Sequence, residues 1–365
     1  MKISEVVALF GQHAPFLYQE SYDNSGLQVG DPDATITGAL LTLDVTEQVL
    51  DEAIAQNCNL IIAHHPLIFS GLKQLAGKNY VQRIVARAVK ADLNILAIHT
   101  NLDNMHNGVN AVIAHRLGLQ QCRILQPRKG GLLKLSVLVP DTHLEPVREA
   151  LFAAGAGAIG DYKECSFQTK GEGTFRPEAA AQPFIGTSGG ERESVQETKV
   201  EVIVPVHLQS YVTAALRAAH PYEEPAFDWL VPDQPNALIG AGMIGELETP
   251  LTEQDFLKML KINMKAEVVR HTSFCGRMVK CVAVCGGSGS FLLNDAIRSG
   301  ADVFVSADFK YHQFFDAEGR IVIADIGHYE TEQFTPEIFS DILKKKNVTF
   351  AVLLSTVDTN PIKYF

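Results

Sequence analysis

An apolar run that stops abruptly at two histidines and a proline constrains the fold of this chain more than any other feature. Residues 60–63 are all aliphatic, and His64, His65 and Pro66 follow at once. A short apolar run bounded in this way predicts a strand that is buried on both faces and opens into a loop. Ligands of open α/β sheets collect at the carboxyl ends of such strands. We therefore expect a binding site at His64 and His65, with a metal ion as the first candidate.

Strands of this kind alternate with helices in the first third of the chain. Residues 38–45 predict a second strand, and Thr46 is placed to cap the helix that follows it. Residues 79–92 have the apolar spacing of an amphipathic helix, and residues 95–99 predict the next buried strand. This order predicts an α/β fold with a parallel or mixed sheet.

A different pattern occupies the middle of the chain. Residues 128–235 predict the order strand, helix, strand, strand, helix, strand, which is the ferredoxin-like arrangement. Residues 171–195 lack apolar periodicity and predict a mobile loop. The α/β pattern then resumes. We therefore expect two similar α/β host halves with mixed sheets, residues 1–127 and 236–365, and an inserted ferredoxin-like α+β domain, residues 128–235.

Composition narrows the class of protein. The net charge of −11 gives no electrostatic footprint for nucleic acid or anionic lipid, so neither partner is expected. The six cysteines are scattered through apolar segments of a chain too large to need disulfides, which indicates reduced thiols and a cytoplasmic protein. The amino-terminal residues predict an amphipathic helix, and neither a signal peptide nor a transmembrane span is expected.

Three further metal-ligand types follow other predicted strands. Asp103 comes just after the strand at residues 95–99, and an apolar run at residues 321–324 leads to His328 and Glu332. The spacing of four between His328 and Glu332 places both on one face of a helical turn. With His64 and His65, three strand ends thus supply five nitrogen and carboxylate ligands. Such a set suits zinc, iron, manganese or nickel better than calcium or magnesium.

The adjacency of His64 and His65 bears on the number of ions. Successive side chains of an extended segment point in opposite directions, so one ion would not easily take both imidazoles unless the backbone turns. We therefore expect two divalent metal ions per chain, each bound by one of these histidines. Two-metal hydrolytic sites hold their ions about 3.5–4 Å apart and need bridging carboxylates.

Other residues offer weaker signals. The glycine-rich segment 286–290 could cradle a phosphate at the start of a helix, although a tight structural turn is the stronger interpretation. Asp308 and His312 could line the same cavity as proton-transfer or supporting groups and are the candidate catalytic residues, with a plain surface helix as the alternative. His99 could orient Asp103 or be purely structural.

Four motifs in order resemble those of a known family across essentially the whole chain. The family has a dinuclear metal centre and is known as the GTP cyclohydrolase 1 type 2 homologues, or Nif3-like proteins. The middle segment also looks like the PII/CutA-like module of the longer family members, including a corner at residues 220–225. The motifs that carry the resemblance are residues 22–30, 64–69, 99–103 and 327–332.

The resemblance implies a site, an assembly and a choice of functions. The metal ligands of the family fall on the five residues already reached: His64, His65, Asp103, His328 and Glu332. It also implies a ring-shaped homohexamer. The expected activity is that of a metal-dependent hydrolase acting on a purine nucleotide or a phosphoester. The alternative is a non-catalytic metal-binding or regulatory protein whose insert senses a small ligand.

Overall fold

The computed structural model describes residues 1–365, and the chain forms two compact units. The first unit comprises residues 1–127 and 237–365, and the second comprises residues 128–236. None of the helices combines the length and the apolar character needed to cross a bilayer.

The elements up to the second unit are α1 (Ile3–His13), β1 (Gly26–Val29), β2 (Gly38–Thr42), α2 (Glu47–Ala55), β3 (Leu60–Ala63), α3 (Tyr80–Lys90), β4 (Asn94–Ala97), α4 (Thr100–Asp103), α5 (Val109–Arg116) and β5 (Leu119–Arg128). The second unit contains β6 (Leu132–Pro140), α6 (Leu144–Ala153), β7 (Phe167–Phe175), β8 (Glu193–Pro205), α7 (Gln209–Ala219) and β9 (Phe227–Leu230). The remaining elements are β10 (Asn236–Thr252), α8 (Glu253–Asn263), β11 (Arg270–His271), β12 (Met278–Ser288), α9 (Leu293–Arg298), β13 (Val303–Ala307), β14 (Val322–Asp325), α10 (His328–Glu332), α11 (Thr335–Lys345) and β15 (Ala351–Leu354).

The first unit is a mixed α/β fold with two mixed sheets. The five-stranded sheet has the order β1-β4-β3-β2-β15, with β1 antiparallel to β4 and the other neighbours parallel. The six-stranded sheet has the order β11-β14-β13-β12-β10-β5, with parallel pairing from β12 to β14 and antiparallel pairing of β11 to β14 and of β10 to β12. The expected mixed α/β class is therefore confirmed.

The two sheets of the first unit exchange strands. β5 comes from the amino-terminal part of the chain but lies at the edge of the six-stranded sheet. β15 comes from the carboxyl-terminal part but completes the five-stranded sheet beside β2. Each part of the chain therefore needs the other to complete its sheet.

Three apolar cores hold the first unit together. The largest lies between the two sheets, where α1, α5, α8 and α11 contribute buried side chains. A second covers the outer face of the five-stranded sheet with α2 and α3, and a third covers the outer face of the six-stranded sheet with α9. Along β3, Ile61 belongs to one core and Ile62 to another, so both faces of this strand are buried as the sequence predicts.

The second unit has an antiparallel sheet of order β7-β8-β6-β9, with α6 and α7 packed on one face. The expected loop at residues 171–195 is wrong at both ends, because Gly171 pairs with Glu197 and Thr174 with Ser194. β7 is a mostly exposed edge strand held by backbone hydrogen bonds. Such a strand needs no apolar alternation, which is why its sequence has the composition of a loop.

Candidate metal centre

Strand ends from both sheets of the first unit meet at one cluster of histidines and carboxylates. His64 and His65 directly follow β3, and Asp103 ends the single turn of α4 after β4. His328 and Glu332 are the first and last residues of α10, which follows β14. All five predicted ligands are therefore brought together, although they span more than 260 positions of the chain.

Glu332 lies at the middle of this cluster, and its side chain is 3% exposed. Its Oε2 lies 2.9 Å from His65 Nε2, 3.1 Å from His328 Nε2 and 3.8 Å from His64 Nε2. Asp103 Oδ1 lies 3.5 Å from His64 Nε2. Two groups with ligand atoms within 4.8 Å of one another could each hold a metal ion, and Glu332 belongs to both: His64, Asp103 and Glu332, and His65, His328 and Glu332.

The expectation that His64 and His65 point in opposite directions is wrong. β3 ends at Ala63, and the backbone then bends, so that the amides of both histidines donate to the carbonyl of Leu43. Their rings lie 4.9 Å apart and both face the cluster. Strand alternation does not extend past the end of the hydrogen-bonded ladder. The alternation of side chains along a strand therefore gives no indication of how many ions these two histidines serve.

Each histidine of the cluster is fixed by a hydrogen bond at its far ring nitrogen. An Nδ1–H that donates to an acceptor leaves the Nε2 lone pair directed at the cluster, and such acceptors are typical partners of metal-binding histidines. The Nδ1 acceptors are Ile98 O for His64 (2.8 Å), Asp44 Oδ1 for His65 (2.7 Å) and Asp308 Oδ2 for His328 (2.7 Å).

Two buried polar atoms of the cluster have no hydrogen-bond partner, His64 Nε2 and Asp103 Oδ1. Burial lowers the pKa of His64, whereas burial and the charge of Glu332 raise the pKa of Asp103. Buried polar atoms are rarely left unsatisfied in native proteins. A cation between these two atoms would satisfy both, so the residues fit a metal ion.

The pKa values of the other ligands show that the cluster favours positive charge. Burial opposes protonation of His65, but hydrogen bonds to Asp44 and Glu332 raise its pKa to about 10. Burial also opposes protonation of His328, yet the charge of Glu332 and the hydrogen bond to Asp308 raise its pKa to about 11. Burial opposes ionisation of Glu332, but the charge of His328 holds its pKa well below the usual value.

The two candidate catalytic residues lie in different surroundings. Asp308 contacts the cluster through His328, and its hydrogen bond to that ring lowers its own pKa. His312 is exposed on a 3₁₀ turn, where its ring contacts Tyr311 and Phe315, and it is not among the residues that line the cavity above the cluster. Asp308 and His312, four residues apart, do not lie on one helical face. Asp308 follows β13 with a positive φ, and the 3₁₀ turn that contains His312 begins only at Tyr311.

Asp44 is a supporting residue that sequence reasoning missed, and His99 has a different partner from the expected Asp103. The side chain of His99 bonds to Asp23 (2.7 Å), not to Asp103, and its ring lies 5.2 Å from that of His64. His99 could also share a metal ion with His64 and His65. The available signal was position: Asp44 and His99 follow β2 and β4 just as His64 follows β3.

The glycine-rich segment lies against the cluster, and its first two amides are already used in hydrogen bonds within the chain. The amide of Gly286 donates to Asn110, and that of Gly287 donates to Thr331. A Cβ at Gly287 would lie 2.5 Å from Glu332 Oε1 and 3.2 Å from His328 Nε2. This favours the structural interpretation of the segment, in which Gly287 is needed because Glu332 and His328 approach its backbone closely.

A cavity of about 720 Å³ opens above the cluster and is lined by His65, Asp103, His328 and Glu332. The rings of Tyr22 and Phe69, 6.3 Å apart, and the exposed ring of Phe291 stand at its rim. Glu20 and Gln126 add polar groups to the wall. The cavity can therefore offer both apolar ring surface and hydrogen-bonding groups to a small molecule beside the cluster.

Comparison with known proteins gives consistent matches over the full length. The family model of Duf34/NIF3 (NGG1p interacting factor 3) matches residues 1–361. The chain is 40% identical over 372 residues to a GTP cyclohydrolase 1 type 2 homolog of Halalkalibacterium halodurans, covering 100% of both chains. It is 37% identical over 365 residues to one of Bacillus subtilis, covering 99% of this chain and 98% of the relative.

Solved structures agree with these matches. A Bacillus cereus protein related to NIF3 superposes with a TM-score of 0.88 at 36% identity, covering 100% of this chain and 99% of the other. The Staphylococcus aureus protein SA1388 superposes with a TM-score of 0.79 at 31% identity and the same coverage. The mixed sheets of the first unit are thus shared with proteins of related sequence.

Proposed function

The chain belongs to the Duf34/NIF3 family, and from this premise we propose that it is a dinuclear metal protein that hydrolyses a purine nucleotide or a phosphoester. The observation that carries the proposal is the pair of three-residue groups that share Glu332. One ion would be held by His64, Asp103 and Glu332, and the other by His65, His328 and Glu332. Imidazole and carboxylate ligands favour zinc, iron, manganese or nickel.

The distances within the cluster support two ions over one. His65 Nε2 and His328 Nε2 lie 3.3 Å apart, and the lone pairs of two neutral imidazoles at this distance repel unless a cation or proton lies between them. His64 Nε2 and Asp103 Oδ1 form a second such pair on the other side of Glu332. A carboxylate between two ligand pairs is the arrangement that a bridged dinuclear site requires.

The chemistry can be divided between the ions and the chain. Bound divalent ions supply Lewis-acid polarisation and make water a better nucleophile at neutral pH. Asp44 and Asp308 hold the Nδ1 protons of His65 and His328, which keeps both imidazoles aimed at the cluster. The rings of Tyr22 and Phe69 offer apolar surface at the rim, where a planar base can pack beside the metal site.

Metal analysis of the purified full chain tests the metal site. We expect about two ions per chain in the native protein and about one in His65→Ala, because Glu332 still serves the remaining group. His271→Ala is the control, since this exposed histidine stacks on Phe274 away from the cluster. Equal metal content in native protein and His65→Ala, or no metal in either, would contradict the proposed site.

Turnover separates the hydrolase from a protein that only binds metal. Protein loaded with each candidate ion is given GTP or p-nitrophenyl phosphate, and release of product is followed with time. We expect turnover of one of the two substrates in native protein and its loss in His65→Ala. A chain that holds two ions and turns over neither substrate would support the non-catalytic, regulatory alternative.

We also propose that the second unit is a ferredoxin-like domain. The supporting observation is its element order, strand-helix-strand-strand-helix-strand, together with the sheet order β9-β6-β8-β7 and two helices on one face. Expression of residues 128–236 alone, followed by far-ultraviolet circular dichroism and thermal unfolding, tests whether this segment folds as a domain. If residues 128–236 alone show no cooperative thermal unfolding transition, the proposal is contradicted.

A further inference from the structure

The second unit contains a cavity of about 460 Å³ on the side of its sheet that faces away from the helices. Val137 and Val139 of β6 belong to the core under α6 and α7, whereas Leu138 between them lines the cavity. The connection between β7 and β8 and the segment after α7 complete the wall. Its volume is within the range of small-molecule sites. We call this cavity the insert pocket.

Three aromatic rings form one part of the wall of the insert pocket. The ring of Tyr222 lies 6.0 Å from that of Phe175 and 6.3 Å from that of Phe184. Phe184 is 51% exposed, so this side of the pocket is open to solvent. The faces of aromatic rings carry partial negative charge and attract cations, most strongly where water is excluded.

A buried carboxylate forms another part. Glu197 of β8 also lines the pocket and is only 8% exposed. It forms no salt bridge with a lysine or arginine, whereas Glu201 on the same strand pairs with Lys134 at 2.9 Å and Lys199 at 3.4 Å. The absence of a side chain at Gly173 leaves room for the carboxylate, because a Cβ there would clash with it. No basic side chain of the protein offsets this carboxylate, so the position favours a bound cation.

The hydroxyl of Tyr222 lies beside Glu197 and is buried without a well-formed hydrogen bond. Burial and the neighbouring Glu197 carboxylate raise the pKa of Tyr222, so the hydroxyl stays protonated and neutral. It can therefore donate a hydrogen bond to a ligand or to the carboxylate. A ligand in the pocket would therefore meet a neutral hydroxyl beside the carboxylate.

The charged groups at the rim are mainly acidic. Glu178, Glu223 and Glu224 line the pocket with Glu197. Arg176 is the one basic residue of the wall, and it pairs with Glu191 at 3.4 Å. The field in the pocket therefore favours a cationic ligand and disfavours a phosphate or a carboxylate.

We propose that the insert pocket binds a small alkylammonium compound, with the ammonium group against Glu197 and its alkyl groups among Phe175, Phe184 and Tyr222. Aromatic faces combined with a carboxylate that has no basic partner match this class of ligand in both charge and apolar surface. The pocket lies wholly within the second unit and shares no residue with the metal centre. The proposal therefore does not depend on the function proposed for that centre.

Isothermal titration calorimetry of the full chain tests the ligand class. Choline chloride is the probe, and 3,3-dimethylbutan-1-ol is its uncharged analogue of nearly the same shape. We expect saturable binding of choline. The affinity for the alcohol should be lower by roughly tenfold or more, because only the cation is attracted by the carboxylate and the ring faces. Equal binding of the two compounds, or no saturable binding of choline, would overturn the proposal.

Substitutions locate the binding. Glu197→Gln keeps the shape of the side chain and should weaken choline binding roughly tenfold. Phe184→Ala should also weaken it and leaves the core intact, because this ring is half exposed. Glu201→Gln, on the same strand outside the pocket, is the control and should bind as the native chain does. If Glu197→Gln and Phe184→Ala both bind like the control, the assignment to this pocket is wrong.

A choline group also occurs on lipid headgroups, so the source of the ligand needs its own test. The full chain is sedimented with phosphatidylcholine vesicles, with and without free choline. We expect the chain to stay in the supernatant, because the proposed ligand is a free compound. Sedimentation with the vesicles that free choline reverses would overturn the assignment to a free compound.

Discussion

His65 illustrates how the residues of the metal centre depend on groups behind them. Its Nε2 faces Glu332, while its Nδ1 donates to Asp44, which in turn accepts a hydrogen bond from Thr359 in the carboxyl-terminal tail. Burial opposes ionisation of Asp44, but the hydrogen bond from His65 lowers its pKa. The orientation of one ligand is thus set by residues far apart in the chain.

Asp44→Asn should therefore weaken metal binding. An amide is a weaker acceptor than a carboxylate and leaves the imidazole of His65 less firmly oriented, so we expect roughly 10- to 100-fold lower affinity. Competition with a chromophoric chelator for Zn²⁺ measures the change. Asp51→Asn, on the exposed face of α2 where it pairs with Arg87, is the matched control. Equal affinities of the two variants would show that Asp44 has no part in orienting the ligand.

Asp23 stabilises the residues beside the centre through hydrogen bonds that depend on pH. Its buried carboxylate accepts hydrogen bonds from His99 Nδ1 (2.7 Å), from the amide and hydroxyl of Thr100, and from Ser25 Oγ (3.0 Å). Burial opposes its ionisation, but the bonds from His99 and Thr100 hold its pKa far below the usual range. The folded pKa is below the unfolded one, so this carboxylate stabilises the fold above about pH 4 and the stabilisation is lost as the pH falls further.

Asp23→Asn should lower the free energy of unfolding at pH 7 by about 2 kcal/mol, because the donors that bond to the carboxylate, including the amide of Asn24, then meet a side-chain amide. The free energy of unfolding should also decrease less between about pH 5 and pH 2 than it does in the native protein, since the titrating carboxylate is gone. Urea unfolding at several pH values measures both effects. Asp33→Asn, an exposed aspartate on the surface, is the comparison. An unchanged slope with pH in Asp23→Asn would contradict the assignment.

At the scale of elements, α10 is a single turn whose ligand side chains fit only because β12 has a glycine, and no side chain, where they pack against it. His328 and Glu332 lie at its two ends, and Gly287 at the end of β12 packs against both side chains. Gly287 has φ +60°, a conformation that favours glycine. The spacing of His328 and Glu332 was readable from the sequence, whereas the need for Gly287 was not, because β12 and α10 meet only in the folded chain.

Gly287→Ala should disturb the centre more than the fold. The new methyl group would meet Glu332, so we expect at least half of the bound metal to be lost. Gly276→Ala is the matched control, because Gly276 has φ +75° but no atoms near its Cβ position. Both variants should lose about 1 kcal/mol of stability through backbone strain, measured by thermal unfolding. Full metal content in Gly287→Ala would contradict the packing argument.

β5 and β10 show where local patterns fail at the scale of elements. Neither strand was expected, although β10 runs from Asn236 to Thr252 and includes three glycines. Glycine-containing strands lack a regular apolar alternation and are defined by their neighbours in the sheet. By contrast, the Thr46 cap on α2 is confirmed, because its hydroxyl accepts from the Val49 amide and such a contact is purely local.

At the scale of the whole molecule, the three cores of the first unit contain no residue between 128 and 236. β5 and β10 are neighbours in one sheet, so the chain leaves and re-enters the first unit from adjacent strands. Gln126 contacts the backbone of Gly240, where a Cβ would clash with its carbonyl. A short turn can therefore join the two strands.

Replacing residues 128–236 by a glycine-rich turn should leave the metal centre intact. We expect the shortened chain to unfold cooperatively and to bind as much metal as the full chain, because every ligand and supporting residue of the centre lies in the first unit. Metal analysis with circular dichroism measures both properties. The same deletion carrying His65→Ala should lose about one ion. A folded deletion variant that binds no metal would contradict this prediction.

The sequence by itself determined the mixed α/β class and the five residues that meet at the centre. Strand ends are encoded locally, because an apolar run followed by polar residues marks where burial stops. Parallel pairing brings such ends to one edge within each sheet, but the meeting of β3 and β4 with β14 of the other sheet is tertiary. Only the tertiary structure decided the exchange of β5 and β15 between the sheets, the common direction of His64 and His65, and the support from Asp44 and Gly287. These features depend on contacts between residues far apart in sequence, which leave no local periodicity to read.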